Sequence, residues 1–165
     1  MYAHVGVLAL LVNFSGSAFS ATTAPMADAP RGHLVFACGT SLYAVPSETA
    51  AEVVNLPALT RVPGSPPHLL GVFAHRGEVL PVIDLAQLTG VKSEGAPKRA
   101  VVVRVAKGVM ALTATRVNGV ASLTGLFDRL GETGVQAHLR GPATAPSGSV
   151  AVIDPEGLIE FLSHG

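Results

Sequence analysis

The sequence predicts an all-β protein made of two related β-barrel subdomains. Short apolar segments rich in β-branched residues recur at intervals of about ten residues, with Gly, Pro and Asn turns between them. Two strand ends about seventy residues apart resemble each other, Val79-Leu-Pro-Val-Ile-Asp-Leu85 and Ser149-Val-Ala-Val-Ile-Asp-Pro155, and each leads into a short amphipathic segment. This pattern favours barrels over alternating βαβ units.

The first half predicts a hairpin followed by a loop and a second hairpin. Residues 33–45 read as two strands joined by a turn at Gly39, and Pro46 ends the second strand. Residues 47–54 could form one or two helical turns capped by Ser47, with a strand over 53–56 as the alternative. Four prolines make residues 57–67 an extended loop.

Two more hairpins and a late strand follow. The predicted strands are 68–74 and 78–84 around the turn His75-Arg76-Gly77, then 100–105 and 109–117 around the turn Lys107-Gly108, and finally 149–154. A short segment ends at Gly90, and residues 91–99 form a polar connector. Asn118-Gly119 predicts a tight turn, and residues 131–148 are expected to be irregular. Asp154 should cap a terminal helix that begins at Pro155.

Composition excludes several classes of function. The 165 residues suit one domain or a pair of small subdomains, and 48% of them are apolar. Charged residues make up 13%, against roughly 25% in typical soluble domains. This favours a protein that works in contact with others, with a tightly packed monomer as the alternative. The zero net charge and the absence of Trp argue against nucleic-acid binding or a polybasic membrane patch.

No catalytic or metal-binding pattern is present in the sequence. Cys38, the single cysteine, lies in an apolar run and is expected to be a buried, unreactive thiol. Asp84 and Asp154 each end an apolar strand, where a carboxylate usually caps the next helix, and no third group pairs with them. The six histidines lack metal-ligand spacing. We therefore expect no enzymatic activity, no cofactor and no metal.

Residues 1–30 form a leader distinct from the domain expected over 31–165. An apolar run at 5–12 and small residues at 17–21 resemble a secretory signal peptide, but the segment before the run has no Lys or Arg. The run is too short to span a bilayer. Alternatively, translation starts at Met26.

The motifs resemble the CheW family of chemotaxis coupling proteins. The strongest match is residues 70–85, with Gly71-Val72, Arg76-Gly77 and the strand Pro81-Val-Ile-Asp-Leu85. Further matches follow the family's order from about residue 33 to 162: Leu34-Val-Phe36, Tyr43-Ala-Val-Pro46, Glu52-Val53, Pro63 and Pro66, Val117-Asn-Gly-Val-Ala-Ser-Leu123, Val152-Ile-Asp154 and Leu158-Ile159.

The resemblance implies a fold and a mode of action. The fold would be two SH3-like five-stranded β-barrel subdomains packed side by side, with short helices that include a C-terminal one. The protein would be a non-enzymatic adaptor in the cytoplasm, located at receptor arrays, with no direct insertion into the membrane. One face would bind the regulatory domain of a CheA-type histidine kinase, and a groove between the barrels would take the cytoplasmic tip of a chemoreceptor. Secretion would require residues 1–21 to be a genuine signal peptide.

The resemblance also assigns roles to five residues. Arg76 and Glu52 would bind the receptor, and Gly71 and Ala50 would bind the kinase. Gly77 would supply a positive φ at the turn. The alternatives are a solvated turn arginine or one that braces its own barrel for Arg76, relief of barrel curvature for Gly71, and a solvated carboxylate for Glu52.

Departures from the family leave the partners open. The family often has Asn-Leu before Arg-Gly, where this chain has Ala74-His75, and Thr115 replaces an Asp. His75 is expected simply to fill a surface position. An alternative function is a divergent module that engages a single partner in a non-flagellar motility pathway or another regulatory pathway.

Overall fold

The fold consists mainly of β-strands with two helices in the part of the chain that is described. A computed structural model describes residues 32–92, 95–125 and 127–164. The predicted leader, including Met26, lies outside these residues. The strands are β1 (Gly32–Cys38), β2 (Ser41–Pro46), β3 (Ala50–Asn55), β4 (Leu69–His75), β5 (Glu78–Ile83), β6 (Arg99–Val105), β7 (Gly108–Ala114), β8 (Arg116–Ser122), β9 (Thr124–Gly125), β10 (Leu139–Ala145) and β11 (Gly148–Ile153). The helices are α1 (Leu85–Thr89) and α2 (Pro155–His164).

The strands form two sheets, each of which curls into a barrel. Barrel A has the strand order β8-β1-β2-β11-β10-β9, and barrel B has the order β3-β6-β7-β5-β4. Only Leu123 separates β8 from β9, so one bent segment pairs with β1 at one end and β10 at the other. In barrel B, the chain beyond β3 reaches β4 through paired backbone hydrogen bonds between Thr60 and Val72. The predicted pair of β-barrels is confirmed.

Three apolar cores hold the barrels together. One contains buried side chains of barrel A only, one contains those of barrel B only, and the largest combines both barrels with α1 and α2. Strand β1 serves two of them, because Leu34 and Phe36 belong to the shared core and Val35 to the barrel A interior. Burying a side chain such as Phe36 contributes roughly 2–3 kcal/mol. The barrels therefore pack as one unit.

Each barrel takes strands from both halves of the chain. The chain contributes β1 and β2 to barrel A, then β3 to β7 to barrel B, and returns to barrel A for β8 to β11. The half that ends in α1 and the half that ends in α2 thus exchange strands. If the chain were divided between α1 and β6, neither piece would contain all the strands of either barrel.

The predicted internal similarity has a structural counterpart with a 70-residue offset. The Asp84 backbone N–H donates to the His68 carbonyl at 2.8 Å, and that of Asp154 donates to the His138 carbonyl at 2.9 Å. Leu69 pairs with Ile83 as Leu139 pairs with Ile153. Both aspartates cap the following helix, Asp84 through the N–H of Ala86 and Asp154 through that of Gly157. The predicted caps and the start of α2 at Pro155 are confirmed.

Three local predictions are wrong. Residues 47–49 form only one 3-10 turn, with Pro46 and not Ser47 at the cap position, and strand begins at Ala50, so of the two readings of this segment the strand is the one confirmed. Asn118-Gly119 lies inside β8, where a register shift against β1 makes Asn118 the extra residue of a bulge.

The third wrong prediction is the irregular segment 131–148. Residues Gly134–His138 form a 3-10 helix and Leu139–Ala145 form β10. Pro142 sits at the bulge between Arg140 and Ala143, a position where a strand tolerates a missing N–H. The Gly- and Pro-rich composition predicted a loop, whereas the structure accommodates these residues in a bulge of β10.

The exchange of strands predicts that neither half folds alone. A fragment of residues 26–92 lacks two strands of barrel B and four of barrel A, so its share of the common core stays exposed to water. We expect this fragment and the complementary 95–165 fragment each to give a poorly dispersed ¹H–¹⁵N spectrum. Mixing them should restore dispersed signals and a single cooperative thermal transition. A cooperative transition in either fragment by itself would contradict the interlocked arrangement.

Candidate docking site at the β4–β5 hairpin

The turn between β4 and β5 places an arginine in an unusual backbone conformation. His75 pairs with Glu78, so Arg76 and Gly77 form a two-residue hairpin loop, with φ angles of +54° and +79°. Positive φ at both positions is the pattern of a type I′ turn, which favours Asn-Gly. The expected positive φ at Gly77 is confirmed. The left-handed conformation of Arg76 costs about 1–2 kcal/mol, a penalty that often marks a functional position.

The Arg76 side chain is largely available to a partner. It is 76% exposed, and its Nη1 lies 3.3 Å from Oε2 of Glu52. An exposed ion pair of this kind contributes less than about 1 kcal/mol. The guanidinium has five N–H donors, so most of its capacity to bind a carboxylate or a backbone carbonyl remains free. Val79, in the same hairpin, is 64% exposed, but it lies on the opposite face of β5 from Glu78.

Glu52 links the two edge strands of barrel B. It lies on β3, is 21% exposed, and its Oε2 is 2.9 Å from Nε2 of His75 on β4. The His75 ring is 24% exposed and packs edge-on against Phe73, with ring centroids 5.9 Å apart. The expectation that His75 simply fills a surface position is therefore wrong. It is mostly buried, and its bond to Glu52 spans two strands that do not pair with each other.

A second ion pair, between Arg104 and Glu78, lies next to this one. Both terminal nitrogens of Arg104 on β6 donate to Glu78, at 2.9 and 2.6 Å. These hydrogen bonds lower the pKa of the Glu78 carboxyl and raise the pKa of Arg104. The Glu52 carboxylate also attracts Arg104 electrostatically, which raises the pKa of Arg104 further. Arg104 is 45% exposed and held by both nitrogens, so Arg76 is the more exposed and less constrained of the two cations.

Gly71 serves a close approach within the chain itself. It has φ +155°, and a Cβ at this position would lie 2.7 Å from the Thr60 carbonyl oxygen and 3.0 Å from Cβ of Leu59. The backbone that needs the glycine is thus the proline-rich loop as it pairs with β4. This structural role differs from the relief of barrel curvature given as the alternative for Gly71, and the kinase-binding role stays a prediction.

Ala50 lies inside the molecule. Its side chain is 1% exposed and belongs to the core shared by the barrels. It has no side-chain surface to offer a partner, so any role in kinase binding would act through the position of β3. The structure thus brings Arg76 and Glu52 into contact but gives neither Gly71 nor Ala50 a contact with that pair.

Two surface grooves occupy equivalent places in the two halves. Groove A has a volume of about 520 Å³, and Tyr43, Thr89 and Ala151 are among its lining residues. Groove B, about 230 Å³, has Ile159 and Leu162 of α2 among its lining residues. Neither groove includes Arg76 or Glu52. The hairpin and these grooves are therefore separate features.

The remaining candidate groups have structural roles. Burial raises the pKa of the Cys38 thiol, which lies 3.4 Å from the Thr113 hydroxyl and stays protonated and unreactive. Among the described residues, no three His, Cys, Asp or Glu side chains are placed to hold a metal ion. Within the same residues, neither helix is long and apolar enough to cross a bilayer.

Comparison with known proteins agrees with this architecture. The sequence model of the CheW-like domain matches residues 32–162. The chain belongs to the CheW-like domain family. The scaffolding protein TtCheW from Thermoanaerobacter tengcongensis has a similar structure, with a TM-score of 0.67 and 25% identity over 79% of this chain and 86% of that one.

Sequence relatives match over shorter stretches. Protein FrzA of Myxococcus xanthus is 48% identical over 50 residues, which is 30% of this chain and 31% of FrzA. Chemotaxis protein CheW of Helicobacter pylori is 42% identical over 59 residues, which is 36% of each chain. The matches to both relatives thus span about a third of their length.

The close approach at Gly71 predicts a stability effect that does not depend on any partner. Gly71→Ala should lower the free energy of unfolding by roughly 2–4 kcal/mol, because the new methyl group clashes with the Thr60 backbone and breaks its pairing. Gly64→Ala is the matched control, with positive φ but no atom within 4 Å of the added Cβ, and should cost only about 1 kcal/mol. Urea unfolding measures both. Equal losses would show that the clash has no effect.

Proposed function

We propose that this chain is a non-enzymatic adaptor that couples chemoreceptors to a CheA-type histidine kinase in the cytoplasm. Membership of the CheW-like family and the similarity to a solved scaffolding protein support an adaptor role. Exposed Arg76 on its two-residue turn is the observation that carries the assignment of a binding site.

The hairpin suits the tip of a receptor's helical hairpin. Binding to a rigid turn costs little conformational entropy, because β4 and β5 are paired and β3 is tied to β4 through Glu52. The Arg76 guanidinium can fork to a carboxylate or to the free carbonyls at a helix end. Glu52 would act mainly by orienting the arginine, since the carboxylate is mostly buried.

The kinase regulatory domain would bind a different face. Gly71 and Ala50 would contribute by shaping it, Gly71 by seating the proline-rich loop on β4 and Ala50 by anchoring β3 in the core. The shared core fixes the two barrels against each other. A displacement of the hairpin on receptor binding would therefore move the other faces with it, as one rigid body.

Substitutions at Arg76 test the receptor site separately from the fold. Arg76→Asn should weaken binding to a chemoreceptor cytoplasmic fragment by about 10- to 100-fold, because a charge-assisted hydrogen bond is lost. It should raise unfolding stability by about 0.5–1 kcal/mol, since Asn-Gly suits a type I′ turn. Arg76→Glu should abolish binding and kinase activation by the receptor.

Lys107→Asn is the matched control for these variants. Lys107 is another exposed cation at a two-residue hairpin turn of barrel B, paired with Glu160 at 2.8 Å. Isothermal titration calorimetry gives the affinities. Unchanged binding by both Arg76 variants would remove the hairpin from the receptor site.

A second candidate is a module that binds only one partner in a non-flagellar motility or other regulatory pathway. It is favoured by His75, which departs from the family pattern beside Arg76, and by the match to FrzA. The chain is expected to bind both a receptor fragment and the isolated kinase regulatory domain with micromolar or tighter affinity, and to form a ternary complex. The chain is titrated separately against the receptor fragment and the kinase regulatory domain. Binding to only one of the two would favour the single-partner function.

A further inference from the structure

Ionisable side chains from four strands close one end of barrel B. They are Glu52 on β3, His75 on β4, Glu78 on β5 and Arg104 on β6. Three of them lie two residues from a side chain of the barrel B core, and Glu52 pairs directly with the core residue Val102. Because alternate residues of a strand share a face, all four lie where the apolar interior ends. These four residues form the charged mouth of barrel B.

The side chains of the charged mouth are connected in a ring. Glu52 is bonded to His75 at 2.9 Å, and Arg104 donates to both oxygens of Glu78, at 2.9 and 2.6 Å. His75 pairs with Glu78 across the hairpin and interacts with it electrostatically. Arg104 is attracted in the same way to Glu52. The ring thus sets two carboxylates against one guanidinium, and Arg76 lies beside it.

We propose that Arg104 is a positioning residue for the Arg76 site, because it compensates the charge of Glu78 and leaves Glu52 alone to hold Arg76. The inference rests on the proposed function, since it concerns how the receptor-binding arginine stays available. In the described part of the chain, the one carboxylate paired with Arg76 is that of Glu52, at 3.3 Å. The exposure of Arg76 is thus the result of a charge balance as well as of the turn.

Removing the charge of Arg104 changes the attraction on Arg76. Glu78 lies two residues from Arg76 in the same hairpin, within reach of the long arginine side chain. Without Arg104, Glu52 and Glu78 are both uncompensated, and their Coulomb attractions for Arg76 add. A guanidinium that is held by two carboxylates presents fewer of its N–H donors to a partner. Receptor binding must then break these contacts first.

The test compares Arg104→Gln with the double variant Arg104→Gln/Glu78→Gln, in titrations of the full chain with a chemoreceptor cytoplasmic fragment. Arg104→Gln should raise the Kd about threefold, the effect of one exposed ion pair gained by Arg76. The double variant loses the same fork but leaves no uncompensated Glu78 carboxylate. Its Kd should return to within about 1.5-fold of that of the unaltered chain.

The matched control is Lys107→Gln, which removes an equal charge from another exposed ion pair of barrel B. Its Kd should equal that of the unaltered chain. A double variant that binds as weakly as Arg104→Gln would mean that Arg104 supports the fold or touches the receptor directly. That result, or an unchanged Kd in Arg104→Gln, would overturn the positioning role.

A measurement on the free protein separates this inference from the proposed function. The heteronuclear ¹H–¹⁵N NOE of the Arg76 side-chain Nε–H should rise in Arg104→Gln, because the side chain becomes ordered, and should return to its original value in the double variant. An NOE that is equal in all three proteins would refute the inference without reference to any receptor. If the NOE changes as expected but Arg76→Asn binds the receptor fragment as tightly as the unaltered chain, the proposed receptor site is what fails.

Discussion

The shared apolar core between the two barrels is the constraint on which the rest of the structure depends. Strand β1 is buried on both faces, and β6 and β7 likewise send alternate side chains into a barrel interior and into the common core. Such strands must be apolar at nearly every position, which explains the runs at 34–38 and 100–103. The exchange of strands between the halves makes this core the junction of the whole chain.

This junction also determines where polar side chains can lie in the described part of the chain. The polar side chains that the core does contain have assigned bonds: Thr113 accepts from the Leu85 N–H at 3.1 Å and contacts Cys38. The aspartates at the strand ends cap helices. Polar groups with spare bonding capacity are therefore displaced to the periphery, and Arg76 at the β4–β5 turn is a clear case. A rigid barrel behind an exposed guanidinium is the arrangement that the proposed recognition role requires.

The sequence was informative wherever one residue type decides the local structure. Gly77 at a hairpin turn, the Asp84 and Asp154 caps and the start of α2 at Pro155 follow from local chemistry, and the 70-residue repeat reflects strand ends that are similar in composition. Gly119 and Pro142 were misassigned, because bulges use the same residues as turns and only a partner strand distinguishes the two. The partner that requires Gly71, the loop at Thr60, is likewise a tertiary contact.

The candidate site could be predicted only in part, because it too depends on tertiary contacts. Family resemblance selected Arg76 and Glu52, and the structure joins them. His75 and Arg104 were not selected, because β3, β4 and β6 meet at this point only after the barrel has closed. The central claim, that the outer surface at this hairpin performs the recognition, is tested most directly by hydrogen–deuterium exchange of the full chain with and without a chemoreceptor cytoplasmic fragment. We expect protection at residues 73–79 and in β3 around Glu52. Protection confined to groove A or groove B, with the hairpin unchanged, would contradict it.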